Sequence, residues 1–214
     1  AKGVVKREVV RIVTPGLVVD ADNLQAKENN FLGAAVLLDG VYGLAFLDLS
    51  TGEFRIAEFR DGESFCNEIG LLSLREVLVG EDFTGRAALM GSQEGEPRRR
   101  LDVVAPDYFD LQAARDRLRT HFSASALRDV RIEAAPAALA AAGAVLRYVI
   151  ETQQDRLGHI NALQRYESTG NLILDDVARR NLELFSTLAE GRKAGSLFHV
   201  LDETVTAMGG RRLR

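Results

Sequence analysis

The sequence has 214 residues, 46% hydrophobic and 27% charged, which is globular composition and excludes both a disordered polar chain and a membrane-embedded one. A formal net charge of -4 argues against an autonomous nucleic-acid binder, whose backbone affinity is built from clustered Lys and Arg. The lone Cys66 excludes an intramolecular disulfide and fits a reduced, cytoplasmic setting, and no apolar run is long enough to cross a bilayer.

In chain order, Val4 to Val13 alternates basic and branched apolar residues as an extended entry segment does, and Thr14-Pro15-Gly16 imposes a turn. Three strands follow, Phe31 to Leu38, Val41 to Leu49 and Glu53 to Phe59. Short turns at Asp39-Gly40 and Ser50-Thr51-Gly52 predict an antiparallel meander. After Asp61-Gly62, the spacing of Phe65, Ile69 and Leu72 predicts a helix, and Glu76 to Val79 a further strand. The polar stretch Gly91 to Arg100 reads as a surface loop ahead of a short strand, Leu101 to Val104.

Pro106-Asp107 is expected to open a helix with an apolar stripe of Leu111, Ala114, Leu118 and Phe122, leaving Asp116, Arg117 and Thr120 on its outer side. A second helix is expected from Ala137 to Leu157, its inner face formed by Leu139, Gly143, Leu146, Ile150, Gln153 and Leu157, closed by Gly158 in the left-handed conformation. Beyond it, Asn171 to Leu174 reads as extended. Asp175 caps a helix from Asp176 to about Leu188, buried through Val177, Leu184 and Leu188, and Ser196 caps a short helix carrying Leu197, Val200 and Leu201. Three antiparallel strands, then alternating helices and strands, then closing helices give an α/β fold class, an RNase H-like domain with a mixed sheet, followed by the beginning of an all-α domain.

Catalytic chemistry is hard to find. A phosphate-binding loop needs G-x-x-x-x-G-K-[ST], and the nearest stretch, Gly191-Arg192-Lys193-Ala194-Gly195-Ser196, has its lysine misplaced and reads as a turn between helices. Asp39, Asp48 and Glu53 are the acids a two-metal nuclease would use on such a fold. They also sit where a solvated sheet carries acids at its strand ends. His121, His159 and His199 lack metal-ligand spacing. Arg98-Arg99-Arg100 could touch a nucleic-acid backbone, or be a solvated loop. No catalytic, cofactor or metal residue is assigned.

Several stretches carry a resemblance. Arg11-Ile12-Val13-Thr14-Pro15-Gly16 resembles the exit from the mismatch-binding domain of bacterial MutS proteins, and Asn29-Asn30-Phe31-Leu32 the first strand of their connector. The run Gly43 to Phe54 is similar to the connector's next two strands, and Ala141 to Tyr148 to its closing helix. Leu174-Asp175, Arg179 to Leu184, Gly195-Ser196-Leu197 and Val200 to Gly209 resemble the start of the MutS core. The resemblance implies an internal piece of a longer protein. Residues 1–16 are then a linker, 17–160 the connector and 161–214 the beginning of the helical core, with Arg179-Arg180-Asn181 serving packing and capping.

It further implies a whole protein that binds mispaired DNA as a homodimer, uses ATP with magnesium, and recruits MutL. The Phe-x-Glu mismatch wedge and the phosphate-binding loop are both missing from these 214 residues. The piece is therefore expected to act as a relay without catalysis of its own, with hinges at Pro15, Gly16 and Gly158 and a MutL-facing surface at Asp22, Asp116 and Arg117. An RNase H-like metal-dependent nuclease with a helical appendage, and a stand-alone adaptor, are the alternatives.

Overall fold

A computed structural model describes residues 14–17, 29–72, 74–86, 89, 99–153, 157–166 and 176–213. The entry segment Val4 to Val13, most of the Gly91 to Arg100 loop, the Asn171 to Leu174 segment and the Asp175 cap lie outside them.

The expected meander forms β1 (Phe31–Leu38), β2 (Val41–Asp48) and β3 (Glu53–Phe59), paired antiparallel in register. Asp39 and Gly40 both take positive φ, 50° and 78°, which is the two-residue hairpin turn whose twist matches the strands it joins. Helix α1 (Gly62–Leu71) is capped by Asp61, which accepts from the Ser64 amide at 2.7 Å. It leads into β4 (Leu74–Val79), parallel to β1, and then β5 (Arg100–Val103), parallel to β4.

The six-stranded sheet has the order β5-β4-β1-β2-β3-β6, in which β6 (Leu163–Arg165) pairs parallel to β3. Without β6 this is the mixed sheet expected of an RNase H-like α/β domain. β6 has only three residues and no alternation to betray it; its pairing with β3 creates it.

Alternate residues of each strand feed two cores. Leu32, Ala34, Ala45, Leu47 and Ile56 face one side, and Phe31, Ala35, Leu44, Phe46 and Phe59 face the other, where Phe65 and Ile69 of α1 cover them. The first side is roofed by α2 (Leu111–His121), α3 (Ala124–Asp129) and α4 (Pro136–Gln153). Pro106 opens a 3-10 turn to Phe109 rather than the helix itself; Asp110 then caps α2 by accepting from the Ala113 amide.

α4 begins one residue earlier than expected and is described to Gln153, and Leu157 itself is not helical. Gly158 lies in an exposed turn and is not among the described glycines with positive φ, so it closes no helix. The buried face is also broader than one stripe. Residues 137–146 are all buried, because α4 runs between the sheet and α2, while Ile150 is 41% exposed. Two contacts set this close packing. A Cβ on Gly43 of β2 would lie 2.2 Å from the Ala137 carbonyl group, and one on Gly143 would lie 2.3 Å from the Ala114 Cβ. Glu58 of β3 accepts from the Ala137 and Ala138 amides at 2.9 and 3.1 Å, satisfying two donors at the start of α4 and placing a negative charge at its positive end.

The C-terminal part contains α5 (Asp176–Asn181), α6 (Leu197–Leu201) and α7 (Ala207–Leu213). α5 stops seven residues short of the expected Leu188. Glu183 adopts φ 48°, turning the chain so that the Glu183 and Leu184 carbonyls accept from the Leu197 and Phe198 amides. Leu188 is accordingly 60% exposed instead of buried. Ser196 caps α6 as expected, accepting from the His199 amide.

Candidate partner surface and joint between domains

Three places concentrate unusual chemistry: the outer face of α2, the β2–β3 turn, and the seat of the Thr14–Leu17 segment on the sheet.

On α2, Asp116 is exposed; its carboxylate accepts from Gln112, one turn earlier, at 3.1 Å, and its carbonyl from the Thr120 hydroxyl, one turn later, at 2.8 Å. Arg117 departs from the expected outer face. Its guanidinium crosses to α4 and donates to the Gly143 carbonyl at 2.9 Å. Burial, with Arg147 nearby, lowers its pKa from the ordinary arginine value. The reason is steric. The missing side chain at Gly143 that lets α2 and α4 touch also opens that carbonyl to a long side chain. Beside it, Arg147 bonds Glu151 at 2.8 Å and Asp107 at 3.0 Å and stacks 3.9 Å from the Tyr108 ring centre. Asp22 lies outside the described residues.

At the β2–β3 turn, Asp48 is 1% exposed, and its carboxylate is consumed locally: Oδ1 accepts from the Ser50 amide at 2.8 Å and the Ser50 hydroxyl at 2.6 Å, and Oδ2 from the Asn30 amide at 3.3 Å. The Ser50 Oγ in turn accepts from Arg211 Nη1 of α7 at 2.6 Å, with Arg211 itself 3% exposed. His159 Nε2 lies 2.7 Å from the Leu49 carbonyl of the same turn. This turn therefore ties the sheet to α7 and to the segment following Gly158.

The Pro15–Leu17 turn is seated on the opposite half of the sheet. Leu17 is 1% exposed, and the Gly16 amide donates to Glu76 Oε2 at 2.8 Å. A Cβ on Gly16 would meet the Glu76 Cβ at 2.9 Å, so glycine permits the approach. Glu76 is fully buried in β4 and also accepts from the Tyr148 hydroxyl of α4 at 2.6 Å. Desolvation, with the neighbouring Asp102 side chain second, raises its pKa from the ordinary value. Asp102 pairs with Arg100 at 2.8 Å. Nothing in the sequence marked Glu76 beyond a carboxylate inside an apolar strand.

The remaining candidates do not converge. Asp39 lies at the β1–β2 turn, whereas Asp48 and Glu53 face each other at the far end of β2. Eight strand residues put these ends about 25 Å apart, too far to hold two ions about 4 Å apart. Glu53 pairs with Arg55 at 2.7 Å. Among the described residues, no group of three or more His, Cys, Asp or Glu could hold a metal ion.

Arg98 lies outside the described residues. Arg99 donates to the Ile69 and Leu89 carbonyls, at 2.6 and 3.3 Å, so it is a clamp on α1. His121 lies 2.8 Å from the Ile160 carbonyl. The Gly191–Ser196 turn does not fit a triphosphate: the Ser196 amide and hydroxyl both close onto the Lys193 carbonyl, the Thr187 amide donates to the Arg192 carbonyl, and the Arg192 amide donates to the Thr187 hydroxyl. No described helix is long and apolar enough to cross a membrane.

Residues 30–161, most of the chain, match the family description MutS domain II. The chain belongs to the MutS family. Residues 177–214 match MutS domain III. The MutS relatives include proteins named DNA mismatch repair protein MutS from Desulforapulum autotrophicum, 40% identical over 100% of this chain, and from Desulfatibacillum aliphaticivorans, 41% identical over 99%. The protein of that name from Anaeromyxobacter sp. strain K is 40% identical over 98% of the chain. The chain spans about a quarter of the length of these relatives, 24%, 24% and 23%. The domain II match covers β1 to β5 and the helices that flank them, β6 following just beyond it, and the domain III match covers α5 to α7, so Arg211 to Ser50 joins one matched domain to the other.

Proposed function

We propose that this chain is the connector and the root of the core of a DNA mismatch repair protein, relaying conformational change between its mismatch-reading and ATP-using parts and offering a docking face to MutL. The whole protein in this reading is a cytoplasmic homodimer that recognises mispaired DNA and uses ATP with magnesium, while this piece performs no catalysis of its own. Family membership and the names of the relatives support it, as does the misfit of the Gly191–Ser196 turn to a triphosphate.

The observation that carries the relay is the bonded series Arg211–Ser50–Asp48, a buried polar joint between the sheet and α7. A buried hydrogen-bonded series has two discrete arrangements, made and broken, and a relay needs an element with two states. Gly158 lies in an exposed turn with nothing within 4 Å of a Cβ built there, but Ile160 and Leu163 after it are buried in the core of the sheet domain and β6 pairs with β3, so Gly158 moves with that domain. Pro15 and Gly16 move with the sheet to which Glu76 binds them. Leu197, Val200, Leu201, Val205 and Met208 are each at least 50% exposed, an apolar surface that further core helices would cover.

Fluorescent donor and acceptor placed on α2 and α6 of the full-length protein would test the relay. Transfer efficiency is expected to differ among nucleotide-free, ADP and ATP states while a pair within the sheet domain stays constant. An unchanged α2–α6 efficiency would overturn it.

A further inference from the structure

Below the far end of α2, the chain folds α3 and the turn Ile132–Ala134 around an open groove of about 650 Å³. This lies within the size range of ligand-binding clefts. Its floor is Phe122, Leu127 and Ile132, each at most 8% exposed, and its lining is mainly carbon. Its rim is charged, with Arg119, Arg128 and Arg131 set against Glu133. Glu133 is already engaged, bonded by Arg115 at 2.9 Å and Arg119 at 2.8 Å, and the Arg115 bond holds its pKa below the ordinary carboxylate value. Arg128 and Arg131 are exposed and make no ion pair among the described residues.

The groove therefore carries three arginines against one neutralised glutamate, a local positive field on a chain whose formal net charge is -4. An apolar slot with an unbalanced basic rim is complementary to one kind of occupant. We propose that this groove docks an acidic peptide segment of a partner protein, a large apolar side chain filling the slot over Phe122, Leu127 and Ile132 while flanking carboxylates pair with Arg128 and Arg131. Anchor and rim then divide the work as in protein interfaces generally, the buried side chain supplying affinity and the charges orientation. A nucleic-acid backbone would leave the apolar floor unfilled. The site is separate from Asp116 and stands or falls without the MutL reading.

The test is fluorescence anisotropy of the whole chain with a labelled peptide of Asp and Glu flanking a Phe-Leu pair. Saturable binding is expected, absent for the same peptide with Lys in place of the acids and weakened when the Phe-Leu pair is Ala-Ala. Arg128→Glu combined with Arg131→Glu should weaken it at least about tenfold, since two attractions become repulsions. Ala124→Glu, at the first position of α3 where an acid favours the helix, keeps the fold and places a carboxylate in the groove; it should weaken binding comparably. Binding that never saturates, that both variants leave unchanged, or that short duplex DNA displaces as well as unlabelled peptide would overturn the proposal. So would a dimer of the chain alone that Ala124→Glu dissolves, because a second copy would then be the occupant.

Discussion

Replacing Glu76 tests whether the Thr14–Leu17 segment is held to the sheet by one buried carboxylate. Glu76→Leu removes the acceptor of both the Gly16 amide, which is buried, and the Tyr148 hydroxyl, which is half-buried. An unsatisfied buried donor costs about 1–3 kcal/mol and the half-buried hydroxyl adds about 1 kcal/mol or less, so the expected loss is about 1–4 kcal/mol, a sizeable part of the roughly 5–15 kcal/mol stability of an ordinary domain. Glu76→Gln keeps the shape and one acceptor oxygen, and should cost about 1 kcal/mol.

The pH dependence separates these variants from a merely steric effect. Burial raises the folded pKa of Glu76 above 4.5, so the folded state binds its proton more tightly than the unfolded chain. Its contribution is fully present below the unfolded value and declines as pH rises from there through the raised folded value. Urea denaturation across that window should show wild-type stability falling relative to Glu76→Gln as pH rises. A constant difference between wild type and Glu76→Gln at every pH would refute the reasoning.

Two other predictions concern the contacts that place the candidate surfaces. Gly143→Ala forces a Cβ to 2.3 Å from that of Ala114 and should cost about 1–3 kcal/mol by overpacking; pairing it with Ala114→Gly should recover only part of the loss in a double-mutant cycle of thermal unfolding, because the Ala114 Cα would still lie 2.7 Å away. Arg211→Met removes the bond to Ser50, and hydrogen exchange should speed up in α7 by about tenfold or more while the β1–β2 amides keep their protection. Equal protection of α7 in both proteins would show that the joint does not hold it.

Much of the fold is legible in the sequence because its signals are local. Asp39-Gly40 and the Ser50–Gly52 turn announce the meander, and Phe65, Ile69 and Leu72 announce α1. What depends on contacts between distant residues is not legible. β6 exists because β3 has an open edge, and α5 stops early because the Glu183 and Leu184 carbonyls bind the start of α6. α4 is buried on more than one stripe because Gly43 and Gly143 admit a strand and a helix on two sides of it.

The candidate surface divides the same way. Asp116 is exposed as helical periodicity places it, but Arg117, its neighbour, is drawn inward by a carbonyl 26 residues away. Glu76 and Arg211 pass in the sequence for ordinary strand and helix charges, and only the packing shows them buried. Arg128 and Arg131 become a pair only when Phe122, Leu127 and Ile132 fold beneath them.

The docking claim is tested most directly by calorimetric titration of the chain with MutL from the same organism, comparing wild type with Asp116→Arg. Asp116 is the clean position, since its exposed carboxylate bonds Gln112 within its own helix and its reversal should leave the fold intact, whereas reversing Arg117 would also break the bond to Gly143. Saturable binding by wild type that Asp116→Arg abolishes is the predicted result. No binding by wild type, or equal binding by the variant, would contradict the account.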